Sequence, residues 1–334
     1  MASSFIITGL SSQVAGGASL PLYPLQAAMT PCRPVAGILV SMAGRNDPVR
    51  IAVHVAVYLV LYILSINLFG PLLAWLGGFL VGITTTELVG AIFANWLALR
   101  MFENRSLADA GVRWSRASAD NLAMGLAGGI AAALLVTIPA LAFGAARLVH
   151  VAGESWSATS TLVLAGLLAC GAAGEELFFR GYGFQAVVAR AGGWATVLPA
   201  GVIFGLMHAR NPHSSWISVV NTAGFGILFG YAYLRSHDLW LPFGLHFGWN
   251  LSLPLLGVNV SGLTMNVTGY ELSWSAGPLW SGGQYGPEAS LLTGGVLVAL
   301  FVYLFRAPVR RQFSPILDPP AELAVCESSP PLRS

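Results

Sequence analysis

Long apolar runs alternate with short polar, Gly- or Pro-bearing breaks along most of this chain. Eight of these runs are long enough, or nearly so, to cross the roughly 30 Å hydrocarbon layer as helices. They lie near 51–69, 72–99, 121–144, 161–190, 193–209, 216–235, 239–256 and 290–305. Helices are the natural reading, because backbone groups in lipid must bond within their own segment. The Gly and Pro inside the runs are tolerated better there than in water. Pro48 and Pro71 are expected at the starts of the first two spans, where a missing N–H does no harm. The predicted fold is all-α, a polytopic transmembrane helix bundle of about eight spans. Its parts read as a weakly ordered N-terminal tail (1–50), transmembrane helices 1–3 (51–145) and a core of helices 4–7 (161–256). An extracytoplasmic loop (257–289), an eighth helix (290–306) and a disordered C-terminal tail (307–334) follow.

Composition strengthens this reading. The 334 residues are 55% hydrophobic and only 9% charged, where a soluble domain carries about 25% charge. The mean hydropathy is +0.71. All 16 basic residues are arginine. With the N-terminus in the cytoplasm, the outer loops hold only Arg147 and Arg210, and nearly all the other arginines lie inside. That asymmetry predicts both termini inside and an even number of spans. The expected location is an integral one in the bacterial inner membrane. The lipid bilayer is one partner, and no nucleic acid is expected. Cys32, Cys170 and Cys326 are too few and too scattered for a disulfide framework or a CxxC metal site. The first 44 residues lack a basic stretch followed by an apolar core, so no cleaved signal peptide is expected.

Against this apolar background the ionisable residues of the spans stand out: His54, Glu87, Glu175, Glu176, Arg180, His208 and His246. A charge at the bilayer centre costs on the order of 3 kcal/mol or more and marks a functional site by default. Glu176 and Arg180 are four apart, acid first, and are expected to neutralise one another on one helix face. Glu175 is turned about 100° away and is left free. Phe204 and His208 share a face of the fifth span, and His246 and Asn250 a face of the seventh. His54 and Glu87 are read as packing or interfacial groups.

A carboxylate, two imidazoles and an amide in a water-accessible membrane cavity suit hydrolysis. Glu175 would act as general base toward water, with His208 helping to orient that water. His246 and Asn250 would donate to the oxyanion as it forms. The same residues offer a second solution, a divalent metal such as zinc held by Glu175, His208 and His246, although Asn250 is an awkward zinc ligand. Metal-free catalysis is favoured, with no cofactor certain. One geometric demand follows. Along ideal helices Glu175 falls near mid-membrane and His208 near the outer end of its span. A single site needs the fifth span to be short, tilted or displaced.

The segments EELFFR, FGLMH and HFGWN resemble the EExxxR, FxxxH and HxxxN/D motifs of the CPBP family of intramembrane proteases. This family comprises CAAX prenyl protease type II and bacteriocin-processing proteins. The resemblance covers roughly Leu162 to Leu256. It implies Glu175, His208, His246 and Asn250 as catalytic residues, with Glu176, Arg180 and Phe204 supporting them. The activity it implies is endopeptidase cleavage of a membrane-embedded or lipidated substrate. Two other readings compete: a proton-coupled transporter using the Glu and His groups as a relay, and a non-catalytic scaffold or immunity protein.

Overall fold

A computed structural model of the chain describes residues 48–318. The expectations for 1–47 and 319–334, with Cys32 and Cys326, lie outside the described residues.

The first two predicted spans form one element, α1 (Pro48–Ala98), folded back on itself at Gly78. Gly78 has φ 77°, a backbone state that residues with a Cβ rarely adopt. The reversal therefore falls at Gly78 rather than near residue 70, and Pro71 lies inside the first arm instead of opening the second. The arms run antiparallel, with Asn95 Nδ2 donating to Tyr58 Oη at 3.0 Å. His54, Tyr58, Tyr62 and Ser65 follow helical spacing and are buried, while Leu59, Val60, Ile63, Leu64 and Leu68 are exposed. An apolar exterior around a partly polar seam suits a helix that faces lipid.

The chain continues through α2 (Arg116–Ala142), β1 (Ala146–His150), α3 (Ala158–Arg180), α4 (Tyr182–Ala191) and α5 (Gly193–Met207). It ends with α6 (Trp216–Ser236), α7 (Trp240–Leu255), β2 (Tyr270–Trp274) and α8 (Leu291–Arg306). Four helical stretches, Pro48–Glu103, Arg116–Ala142, Ala158–Ala191 and Trp216–Ser236, are long and apolar enough to cross a membrane. The fourth predicted span is not continuous: it breaks at Gly181, where Asn95 Oδ1 accepts from the Tyr182 N–H at 2.7 Å. The fifth has only 15 residues, about 22 Å of helix.

The α2 and α7 backbones pack closely. A Cβ on Gly129 would stand 2.7 Å from the Trp249 nitrogen, and one on Gly125 would stand 2.9 Å from the Gly244 Cα. Small residues let membrane helices approach this far, where packing rather than hydrophobicity drives association.

Two features add to the all-helical expectation. β1 and β2 pair antiparallel, Ala146 opposite Trp274 and His150 opposite Tyr270, so the segment after α7 is folded rather than a plain loop. Residues 307–318, expected as the start of a disordered tail, are strapped across the helix ends. Asn121 Nδ2 donates to Asp238 Oδ2 at 2.9 Å and to the Arg310 carbonyl at 2.8 Å. Asp318 meets His237 Nδ1 at 2.9 Å and Arg311 at 2.8 Å.

Burial alone would raise the Asp318 carboxyl, but the Ser314 N–H, His237 and Arg311 outweigh it and hold it below the usual carboxylate range. Burial also pushes the His237 imidazole below its ordinary 6.5, and Asp318 opposes this only in part. The fold thus favours the carboxylate and the neutral ring. Both contributions are complete above the unfolded values and are lost as pH falls through the lowered ones. Amide protection factors across 311–318, corrected for the intrinsic exchange rate at each pH, should fall progressively as pH is taken from above 6.5 to below 3.8. Protection that stays constant over that range would refute the clasp.

Candidate active site

The last two turns of α3 carry Glu175, Glu176 and Arg180. Because α3 stops at Arg180, these residues lie near the end of a helix rather than at the middle of a 30-residue span. Gly174 lets α3 close on the second arm of α1, since a Cβ there would stand 2.6 Å from the Leu88 nitrogen.

The expected pair forms: Arg180 Nη1 donates to Glu176 Oε1 at 3.2 Å, and both side chains are 1% exposed. Arg180 Nη2 also donates to the Gly226 carbonyl at 2.8 Å. The guanidinium sits among Phe179, Phe204 and Phe229, 5.2–5.5 Å from their ring centres. A buried guanidinium needs such hydrogen bonds and ring faces in place of water.

A third partner of this pair was not visible in the sequence. Glu176 Oε1 also lies 3.0 Å from His246 Nδ1. The ring stacks on Phe229 with centres 4.9 Å apart. With Nδ1 donating to Glu176, Nε2 is directed to Glu175 Oε2 at 3.9 Å. Glu176 therefore neutralises Arg180 and also orients an imidazole, a role usual for carboxylates behind a functional histidine. A contact between α3 and α7 has no periodicity that a sequence could display.

His208 caps the short α5, and its Nδ1 is 2.8 Å from the Phe204 carbonyl. A carbonyl only accepts, so Nδ1 carries a proton, and the tautomer this selects has its lone pair on Nε2. Phe204 touches both histidines, at 4.7 Å from the His208 ring and 6.2 Å from the His246 ring.

Glu175, His208, His246 and Asn250 all line one cavity of about 400 Å³. The shortness of α5 meets the demand raised above. Glu175 Oε2 is buried without a hydrogen-bond partner. Apolar walls come from Phe79, Leu80, Ile83, Leu168, Met207 and Met265.

Three residues of this cavity escaped the sequence reading or were read otherwise. Glu87 and Tyr62 of α1 line it, although Glu87 was expected to be a packing group. Glu288, just before α8, lines it as well. Its only signal in the sequence is a carboxylate beside an apolar run. His54 does serve packing: its ring stacks on Phe102 at 3.8 Å, and Nδ1 meets Tyr182 Oη at 2.8 Å. Among the other polar span residues, Asn95 and Asn221 bond to backbone carbonyls. Asn67 bonds back within its own helix.

Among the described residues, no group of three or more His, Cys, Asp or Glu is arranged to hold a metal ion. Glu175, His208 and His246 line the same space without forming such a group.

A helical bundle with apolar candidate spans and with carboxylates and imidazoles around one cavity has the make-up of an intramembrane hydrolase. In keeping with that class, residues 155–252 match the family model of the Rce1-like type II CAAX prenyl endopeptidases, a family of proteases. The match runs from α3 into α7 and is consistent with a CPBP-family intramembrane protease. No curated protein and no solved structure matches the chain.

Proposed function

We propose that this protein is an intramembrane endopeptidase that hydrolyses one peptide bond of a membrane-embedded or lipidated substrate, in a bacterial inner membrane. The observation that carries the reading is the convergence of Glu175, His208, His246 and Asn250 on one cavity, with Glu175 Oε2 lacking a hydrogen-bond partner.

In this mechanism Glu175 takes a proton from a water held by the His208 Nε2 lone pair. The water oxygen attacks the scissile carbonyl as that proton leaves. Asn250 Nδ2 donates to the developing oxyanion, and so does His246 from Nε2 when its ring carries both protons, with Glu176 holding Nδ1. Each such donor is worth roughly 3 kcal/mol in the transition state. As the tetrahedral intermediate collapses, Glu175 returns its proton to the leaving amine. The apolar walls beside these groups suit a lipid chain or a membrane-embedded segment. The matched family's name points to prenylated CAAX peptides as the first probes.

The test is cleavage by the purified full chain in lipid vesicles. One quenched peptide carries a prenyl group and a CAAX-type end, and the other is a quenched transmembrane peptide. Wild type should cleave at least one, and His208→Ala should lose about 100-fold or more in kcat. Failure to cleave either peptide would overturn the reading, and solute flux driven by a proton gradient would put transport in its place.

A further inference from the structure

Glu288 lies outside every motif, yet it is the most heavily engaged carboxylate at the cavity. Its Oε1 accepts from Trp249 Nε1 of α7 at 3.1 Å. Its Oε2 accepts from the Ser261 N–H at 2.6 Å and the Ser261 hydroxyl at 2.9 Å. Its own carbonyl accepts from Asn221 Nδ2 of α6 at 2.8 Å.

Ser261 belongs to a tight turn, Val260–Leu263, whose ends bond to one another at 2.8–3.0 Å. That turn lines the cavity. It is tied on its far side to the segment that follows His208, because Asn211 Nδ2 donates to the Ser261 carbonyl at 3.2 Å. One buried carboxylate thus joins α7, next to Asn250, to a turn that is itself bonded three residues beyond His208. The turn's backbone groups are already used: Gly262 N–H bonds to the Tyr285 carbonyl at 2.8 Å. It is a wall, with no N–H of the turn left to pair with a peptide.

We propose that Glu288 is a positioning residue: it clips the Val260–Leu263 turn to α7 as the roof of the cavity and so fixes His208 relative to His246 and Asn250. This rests on the peptidase reading above. A carboxylate is suited to the task because all three groups facing it are donors, and a buried anion that accepts from each holds them more firmly than a neutral amide. Glu288→Gln keeps the shape but turns an NH2 toward at least one donor.

The experiment compares wild type, Glu288→Gln, Trp249→Phe and the double variant on the two quenched peptides. A companion measurement takes spin-label distances between Thr264, next to the roof turn, and Ala209 beyond α5. The expected result for Glu288→Gln is a kcat loss of about 10–100-fold, the range seen when residues behind a site are removed. KM should stay within about threefold, and the melting temperature in detergent should be close to wild type. The double variant should be no slower than Glu288→Gln alone, because either change opens the same clip. An unchanged kcat, a loss confined to KM, or losses that multiply in the double variant would overturn the proposal. Should wild type cleave neither peptide, the peptidase reading falls, and the spin labels still decide the clip. A broadened distance distribution in Glu288→Gln supports it, and an unchanged one overturns it.

Discussion

Replacing Glu175 with Gln should abolish most peptide cleavage, lowering kcat by about 10²–10⁴-fold, the usual contribution of a positioned acid–base group. Glu175 is the cavity carboxylate with an oxygen that no donor satisfies. The amide keeps its volume but cannot take a proton from water. Binding should survive, because the apolar walls that would hold a substrate are unaltered. The measurement is single-turnover cleavage in vesicles, with substrate affinity read separately by fluorescence anisotropy. Full turnover by Glu175→Gln would remove this residue as the base and favour a scaffold. A parallel loss of affinity would mean that Glu175 binds substrate rather than activates water.

The second large effect is on stability. Arg180→Met should destabilise the bundle by about 3–5 kcal/mol, since it leaves Glu176 buried without its cation. Glu176 is 1% exposed, so water cannot take over. The three phenyl rings around the guanidinium would fit a thioether, so the loss is electrostatic rather than a cavity. The double variant Arg180→Met with Glu176→Gln should recover part of the stability while remaining inactive, because His246 loses its orienting carboxylate. Denaturant titration in mixed micelles would show this. A single variant as stable as wild type would mean that the ion pair contributes nothing net.

Local spacing in the sequence carried the pairs that lie on one helix. Glu176 with Arg180, Phe204 with His208, and His246 beside Asn250 follow from a four-residue separation. The family resemblance set those three helices around one site. What stayed hidden was decided between elements or by single residues that hydropathy does not register. Gly78, the second of a Gly-Gly pair, and Gly181, directly after Arg180, interrupt helices where hydropathy alone reads on, so the first reversal and the division of the fourth segment did not follow from the apolar pattern. The bond from His246 to Glu176 joins residues 70 apart. Glu288 was assigned to a loop, and its burial depends on how the segment after α7 folds back, which β1 and β2 help to fix. Glu87 gave the right signal, a carboxylate at membrane depth, but its direction toward the cavity depends on where α1 reverses.

The 15 residues of α5 carry a consequence for the surrounding lipid. A rod of about 22 Å is shorter than a hydrocarbon slab of about 30 Å, so wherever α5 meets lipid the neighbouring acyl chains would have to shorten or the headgroups sink to meet it. His208 stands at the end of that rod. The dimple that relieves the mismatch would bring interfacial water down to the depth of His208, and hydration of the site would then depend on acyl-chain length as much as on any residue.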